Sequence, residues 1–394
     1  MLVNSACSNK PTVLHICSDF PNKQIYKHLV KHLADKGVSQ LVYSPVRSEA
    51  EAKSTIEEMS EVNIHLRDIL RLHDRLLFRS KIRKIYRDLC SVIKLSTINF
   101  VHAHFLYSDG AVALKLKRQQ GIPYIVAVRN TDINVFMRYR PDLRWLANDI
   151  IREASQVVFI SPGYRAIFFS CISTEMRTLI ANKSIVVPNG VGPNWLKTPP
   201  PPTRQSEKTL RVLYVGDFTK NKNVPGLLNA LFILYQRRAV QLTLVGGGGD
   251  GMEKVQKMLA LDKFRFAEFV GRITQIEHLQ RIYQNHDLFA MPSFKETFGV
   301  VYIEALSQGL PIIHSNGQGV DGFFEPGTVS ESVDPTDPLD IARKIEIVAA
   351  RCHAIRPECI NEAKRFDWKC IANTYESLYL SNLTCNIENK FRQR

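Results

Sequence analysis

One feature limits this chain more than any other: short β-branched runs alternate with amphipathic helical stretches, and the alternation runs twice. In the first half "TVLHICSD" (12–19), "QLVYSPV" (40–46), "FVHAHF" (100–105), "YIVAVR" (124–129), "QVVFIS" (156–161) and "SIVVPNG" (184–190) read as strands. Helical patterns lie between most of them, such as "IYKHLVKHLADKG" (25–37), which stops at a glycine. Strands that are apolar on both faces and separated by helices imply a parallel sheet covered on each side. After "NWLKTPPPPTRQSEKT" (194–209) the pattern restarts. "LRVLYVGD" (210–217), "QLTLVGG" (241–247), "AEFVGRI" (267–273), "DLFAMPS" (287–293) and "PIIHS" (311–315) alternate with helices up to "PLDIARKIEIVAAR" (338–351). A length of 394 residues suits two domains. The expected class is α/β, two facing doubly wound Rossmann-like domains. Ligands of such sheets bind at the carboxyl ends of the strands, here in the cleft between the two halves.

The expected boundaries are 1–193, a semi-rigid proline-rich linker over 194–209, 210–365, and a last segment over 366–394. A helical pattern from about Pro357 to Leu380 is long enough to cross back to the first domain.

The formal charge of +14 favours an anionic partner: a phosphate-bearing ligand, a membrane surface or a nucleic acid. The basic residues concentrate in "RDILRLHDRLLFRSKIRKIYRDLCSVIKL" (67–95), where Leu70, Leu76, Leu77, Ile82, Ile85, Leu89 and Ile93 recur at roughly helical spacing. This reads as one or two amphipathic basic helices, either packed by their apolar side or resting on acidic lipid headgroups. Nucleic acid is not expected, because no recognition motif accompanies the charge. No apolar run approaches a membrane span and no secretory leader is visible, so the expected location is cytoplasmic, with peripheral contact at the inner face of a membrane. The eight cysteines contain no CxxC pair and read as reduced thiols rather than a metal site.

The segment "SFKETFGVVYIEALSQGLP" (293–311) carries the most chemistry. "LFAMPS" is a buried strand, "KETFG" the loop at its carboxyl end, and "VVYIEALSQG" a helix stopped by Gly309 and Pro311. A helix start offers unpaired N–H groups and partial positive charge, which suit phosphate. Gly299 lets backbone approach a ligand closely. Glu296 in the loop and Glu304 in the helix are placed for sugar and ribose hydroxyls, which carboxylates bind well. A diphosphate flanked by two sugars fits this layout. The pair of glutamates by itself equally suits a cap and a surface residue.

Through Pro292, Ser293, Glu296, Phe298, Gly299, Glu304, Ala305, Gly309 and Pro311 this stretch resembles the E-x7-E motif of retaining glycosyltransferases of family 4, which have the GT-B fold. The resemblance extends over nearly the whole chain, through "FVHAHFLYSDG" (100–110), "IVVPNGV" (185–191), "YVGDFTKNKNVPGLLNAL" (214–231), "LTLVGGGGD" (242–250) and "EFVGRI" (268–273). It implies an acceptor-binding first domain and a donor-binding second one. Glu296 would hold donor-sugar hydroxyls, and the N–H groups of Phe298, Gly299 and Val300 sugar or diphosphate oxygens. Glu304 would take the ribose, Lys222 the diphosphate, and Gly216 would open the loop that brings Lys222 there. Arg272 and Ile273 would meet the base. The resemblance also implies transfer without a metal or a cofactor beyond the nucleotide-sugar co-substrate, UDP or GDP being expected.

Three departures stand out. The family's donor-domain arginine is Asp217 here, with Lys220 close enough in sequence to replace it. The family's His-Gly-x-Asp is "VRNTDINVF" (128–136), with Arg129, Asn130 and Asp132. Arginine is no base at neutral pH, so Arg129 would work electrostatically or serve the acceptor; Asp132 is carried with it as a catalytic candidate. The loop "SDFPNKQIYKHL" lacks the family's glycines. Lys23, Gln24, His102 and His104 are candidates to face the ligand, with Lys23, His104 and Asn130 on the acceptor side. The expected activity is retaining sugar transfer from a nucleotide diphosphate to a glycan or lipid-linked glycan, as in lipopolysaccharide, capsule or exopolysaccharide synthesis. The alternatives are another GT-B enzyme, such as a sugar-nucleotide epimerase, or a non-catalytic nucleotide-sugar binder.

Overall fold

The computed structural model describes residues 11–48, 59, 62–197 and 208–392. Most of the proline-rich stretch, 198–207, lies outside them. The chain forms two compact units. One holds the residues up to Ile160, Phe168–Val187 and everything from Lys369; the other holds Ser161–Ile167 and Pro188–Trp368.

The first unit is a seven-stranded sheet in the order β3-β2-β1-β4-β5-β6-β7. Its strands are β1 (Thr12–Ile16), β2 (Ser39–Val46), β3 (Asn63–Asp68), β4 (Phe100–Ala103), β5 (Tyr124–Val128), β6 (Gln156–Phe159) and β7 (Ser184–Val186). The second is a six-stranded sheet in the order β10-β9-β8-β11-β12-β13. Its strands are β8 (Leu210–Gly216), β9 (Val240–Gly246), β10 (Ala267–Gly271), β11 (Leu288–Ala290), β12 (Ile312–Ser315) and β13 (Ser330–Val333). Every pairing is parallel. Val13, Leu14, Phe100, Val101, Ile125 and Val126 are fully shielded, as are Val212, Leu213, Phe289 and Ile313. Each such side chain stabilises its sheet by about 1.5–3 kcal/mol. Both units are therefore doubly wound α/β domains, as the alternation implied. In each the strand order reverses beside its first strand, between β1 and β4 and between β8 and β11, which is where such sheets open a crevice for ligand.

Several elements differ from expectation. The basic stretch 67–95 is not helical throughout. Arg67 and Asp68 end β3, Leu70 is buried with its N–H on the Val46 carbonyl, and the helix occupies only Phe78–Val92. The Asp74 carboxylate takes the Arg71 amide at 2.7 Å and the Lys84 ammonium at 2.9 Å, which turns the chain before the helix. That turn leaves Leu76 and Leu77 exposed instead of packed. The last helical pattern is two helices, Arg356–Ala363 and Trp368–Arg392. The break between them is held by Phe366, buried against Phe298, Phe323 and Phe324, and by a bridge from Asp367 to Val191. From Lys369 onward the final helix belongs to the first unit. There Glu376 pairs with Lys36 at 2.7 Å, and the Tyr379 hydroxyl meets His102 Nδ1 at 2.8 Å.

Candidate functional site

In the second unit the candidate residues gather where β8 and β11 end. Lys222 follows β8 in a short 3-10 turn (Lys220–Lys222), and Asn223 fixes that turn. Asn223 has φ 54, the left-handed region that few side chains adopt, and caps the helix Val224–Tyr235 by accepting from the Gly226 amide. Its Nδ2 donates to the carbonyls of Pro292 (3.1 Å) and Pro335 (2.7 Å). The β8 turn is thus tied to the end of β11, and Lys222 pairs directly with Glu296. The pair is part-open, with side-chain exposures of 24% and 11%. The Glu296 backbone is pinned on both sides: its amide donates to Gln318 and its carbonyl accepts from Gly319.

Gly299 then opens the helix Val300–Ser307 with φ 76. A Cβ there would lie 2.6 Å from the Tyr302 ring, so only glycine fits without displacing it. Among the described residues the amides of Phe298, Gly299 and Val300 have no hydrogen-bond acceptor, and they are the donors that a helix start turns toward an anion. The Phe298 side chain is core; only its backbone is available. Glu304, one turn on, is half-buried, and loss of solvent around it pushes its carboxyl up to about 7 although the Tyr283 hydroxyl donates to it at 3.3 Å. Arg272 and Ile273 lie just past β10. Arg272 pairs with Asp217 at 2.6 Å, both side chains well exposed. The acid at position 217, past β8, is therefore matched by an arginine from the end of β10, two strands away in the sheet. Lys220 is exposed, with its amide on Asp250. Gly216 ends β8, and its carbonyl accepts from Gly247.

In the first unit the candidates are less open. Asp132 is buried and accepts three backbone amides: Arg129 (2.9 Å), Leu106 (3.0 Å) and Tyr107 (3.2 Å). It clasps the loop after β5 to the loop after β4, a positioning role, and burial raises its carboxyl to about 6. Asn130 accepts from Asn134, and Lys23 is the exposed N-cap residue of the helix Gln24–Asp35. His104 sits just past β4, fully buried with His102 and His15. His15 Nδ1 lies 3.1 Å from His104 Nε2, and burial holds all three rings below the usual histidine range, His15 near 4. Three nitrogens, one from each ring, come within 4.8 Å of one another. Three imidazoles can ligate a divalent cation, but the Arg129 guanidinium, whose charge acts on His102 and His104, opposes one there. Arg129 itself is buried against the Tyr26 face, 5.8 Å from the ring centre, with Nε on the His104 carbonyl at 3.4 Å.

Sequence reasoning passed over Asn223 and Asp109. Asp109 is buried, receives both the amide and the hydroxyl of Ser18, and is raised by burial to about 7. Its signal was present in "FLYSDG", a polar residue inside an otherwise apolar helix start.

Two family models match the chain. One described as Glycosyltransferase Family 4 covers residues 24–195, and one described as Glycosyl transferases group 1 covers 200–365. An uncharacterized glycosyltransferase of Methanocaldococcus jannaschii, MJ1607, is 24% identical over 313 residues, covering 73% of this chain and 76% of that protein. Among solved structures, Anabaena Alr3699/HepE in complex with UDP matches with TM-score 0.70 at 17% identity, covering 94% of this chain and all of that one. The apo form of the lipopolysaccharide outer core galactosyltransferase WaaB matches with TM-score 0.68 at 18% identity, covering 94% and 99%.

Proposed function

Because the chain is a glycosyltransferase of the GT-B fold, with a family 4 domain followed by a group 1 domain, we propose that it moves a sugar from a nucleotide diphosphate to a glycan hydroxyl, with retention and without a metal. The observation that carries this reading is the Lys222–Glu296 pair set beside the unpaired amides of Phe298 to Val300. Breaking the sugar–phosphate bond builds negative charge on the diphosphate. A lysine and fixed amides at a helix start stabilise that charge without reorganising. Donor binding would draw Lys222 to the phosphates and leave Glu296 for sugar hydroxyls. Glu304 would receive the ribose, and as an acid raised toward neutrality it can both donate to and accept from a diol. The Asp217–Arg272 pair borders the place for the base. UDP is the first donor nucleotide to try, since Alr3699/HepE binds it.

A lipid-linked acceptor is part of the proposal. No helix among the described residues is long and apolar enough to cross a membrane. The first unit nevertheless exposes Leu72, Leu76, Leu77, Tyr139 and Trp145, with Arg79, Arg83 and Arg138 also at the surface. A groove lined by Arg79, Arg83 and Trp145 shares that surface. Leucines and tryptophan that enter the headgroup layer, flanked by arginines, fit an anionic bilayer.

The test is a panel of UDP-, GDP-, ADP- and dTDP-sugars, read as slow release of nucleotide diphosphate. The expected result is turnover of one class, abolished by Lys222→Met. Epimerised sugar instead would make the protein an epimerase, and tight binding without turnover a carrier. Unchanged sedimentation of Trp145→Ser/Arg83→Glu with anionic vesicles would remove the membrane surface alone.

A further inference from the structure

Arg129 is a cation held in a nearly closed, neutral environment. The residue as a whole is 8% exposed. Its contacts are the His104 carbonyl, the Tyr26 ring and the Tyr375 hydroxyl, and none of them is an anion. Among the described residues no carboxylate pairs with it. Asp132, whose field reaches it, has both oxygens committed to backbone amides. No neighbour can supply charge by losing a proton. Burial holds the Tyr26, Tyr375 and Tyr379 hydroxyls and the Cys17 thiol above their usual ranges. The three histidines beside it are kept neutral. Burial disfavours the charge, and its surroundings, Asp132 among them, offset that and hold the guanidinium above its usual range; what Arg129 lacks among the described residues is a carboxylate in direct contact, a place that an arriving oxyanion can take. The position is also one where ligands arrive, since Arg129 is the first residue past the carboxyl end of β5 in a doubly wound parallel sheet.

We propose that Arg129 is the recognition residue for an oxyanion, a carboxylate or phosphate, carried by one of the sugar substrates, so that this chain selects acidic sugars over neutral ones. A guanidinium binds such a group through charge-assisted N–H donors, and an enclosed site strengthens the contact relative to water. Asp132 fixes the Arg129 backbone through its amide, which sets the direction of the side chain. The histidine nitrogens that find no partner, His15 Nε2, His102 Nε2 and His104 Nδ1, keep the wall polar but uncharged. This inference rests on the transferase reading for its ligand being a sugar, but not on which substrate bears the anion.

The test is binding to the full chain, by calorimetry and thermal shift, with matched probes. Glucose 6-phosphate and glucuronate against glucose examine the acceptor as the source. UDP-glucuronate against UDP-glucose, and GDP-mannuronate against GDP-mannose, examine the donor. The expected result is that at least one anionic member binds about tenfold or more tighter than its neutral twin, the scale of a charge-assisted hydrogen bond. Arg129→Met erases that preference while the neutral twin binds as before, and Arg129→Lys keeps part of it. A wild-type chain with no preference in any pair overturns the proposal. So does a preference that survives Arg129→Met, or an Arg129→Met chain that no longer folds, which would make the guanidinium structural. If no nucleotide sugar of either kind binds or is hydrolysed, the transferase reading falls, and the free-sugar pairs still decide the anion site.

Discussion

Each sheet sets a cation just past the carboxyl end of a strand, but the two are treated in opposite ways. In the second unit Lys222 is part-open and paired with Glu296, so its charge is balanced before any ligand arrives. In the first unit Arg129 is enclosed among tyrosines and histidines and, among the described residues, has no paired carboxylate. A balanced pair costs the fold little and must exchange partners to act. A cation without a contacting carboxylate is open to an anion that arrives. On the proposed reading, the contrast separates a residue that works on charge built during a reaction from one that selects what enters.

The sharpest break of this comparison is Lys222→Met. Transfer or donor hydrolysis should fall by about 10²–10³-fold, as when one fixed donor to a developing anion is lost, with thermal stability nearly unchanged. Equal activity would leave Lys222 a surface ion pair. Next is Asp132→Ala, which strands three buried amides and should lower unfolding free energy by about 1–3 kcal/mol in urea titration. It should also disturb any selection made by Arg129 more than chemistry at Lys222. The third concerns Glu304. Its folded carboxyl, near 7, lies above the ordinary 4.5, so the folded state holds a proton that the unfolded chain gives up between those values. Its contribution is present below pH 4.5 and is lost as pH rises through 7. Glu304→Gln should therefore match wild type near pH 4 and be more stable at pH 8, by about 1–3 kcal/mol. A melting-temperature difference independent of pH would contradict the burial argument. The smallest effect belongs to Asp217→Asn. The exposed pair with Arg272 should change stability by no more than about 0.5 kcal/mol.

The fold was legible because parallel strands shielded on both faces are written as plain apolar runs. β3 was missed because "NIHLRD" is only partly buried along its length, and β13 because "SESV" carries two polar side chains at intermediate depth. Strand ends were read too long by one to three residues at Ile16, Ala103, Val128 and Gly271. The residues trimmed off there, Ser18, Asp19, His104, Arg129 and Arg272, are those that leave the sheet for the candidate sites. Glu296, Gly299 and Glu304 were legible because one strand, loop and helix carry them in sequence. The pairings Lys222–Glu296 and Arg272–Asp217 were not, because 74 and 55 residues separate the partners and only sheet order brings them together. That Arg129 has no carboxylate in contact among the described residues was equally invisible, since it depends on what the fold brings around it.

The final helix has a consequence for how the chain is made. His102 is made well before Tyr379, whose hydroxyl meets its ring from 277 residues further along the chain. The sheet that holds His102 therefore waits, one flank unsealed, until Tyr379 has been made. Halting translation before that residue would harm the unit whose strands were already complete.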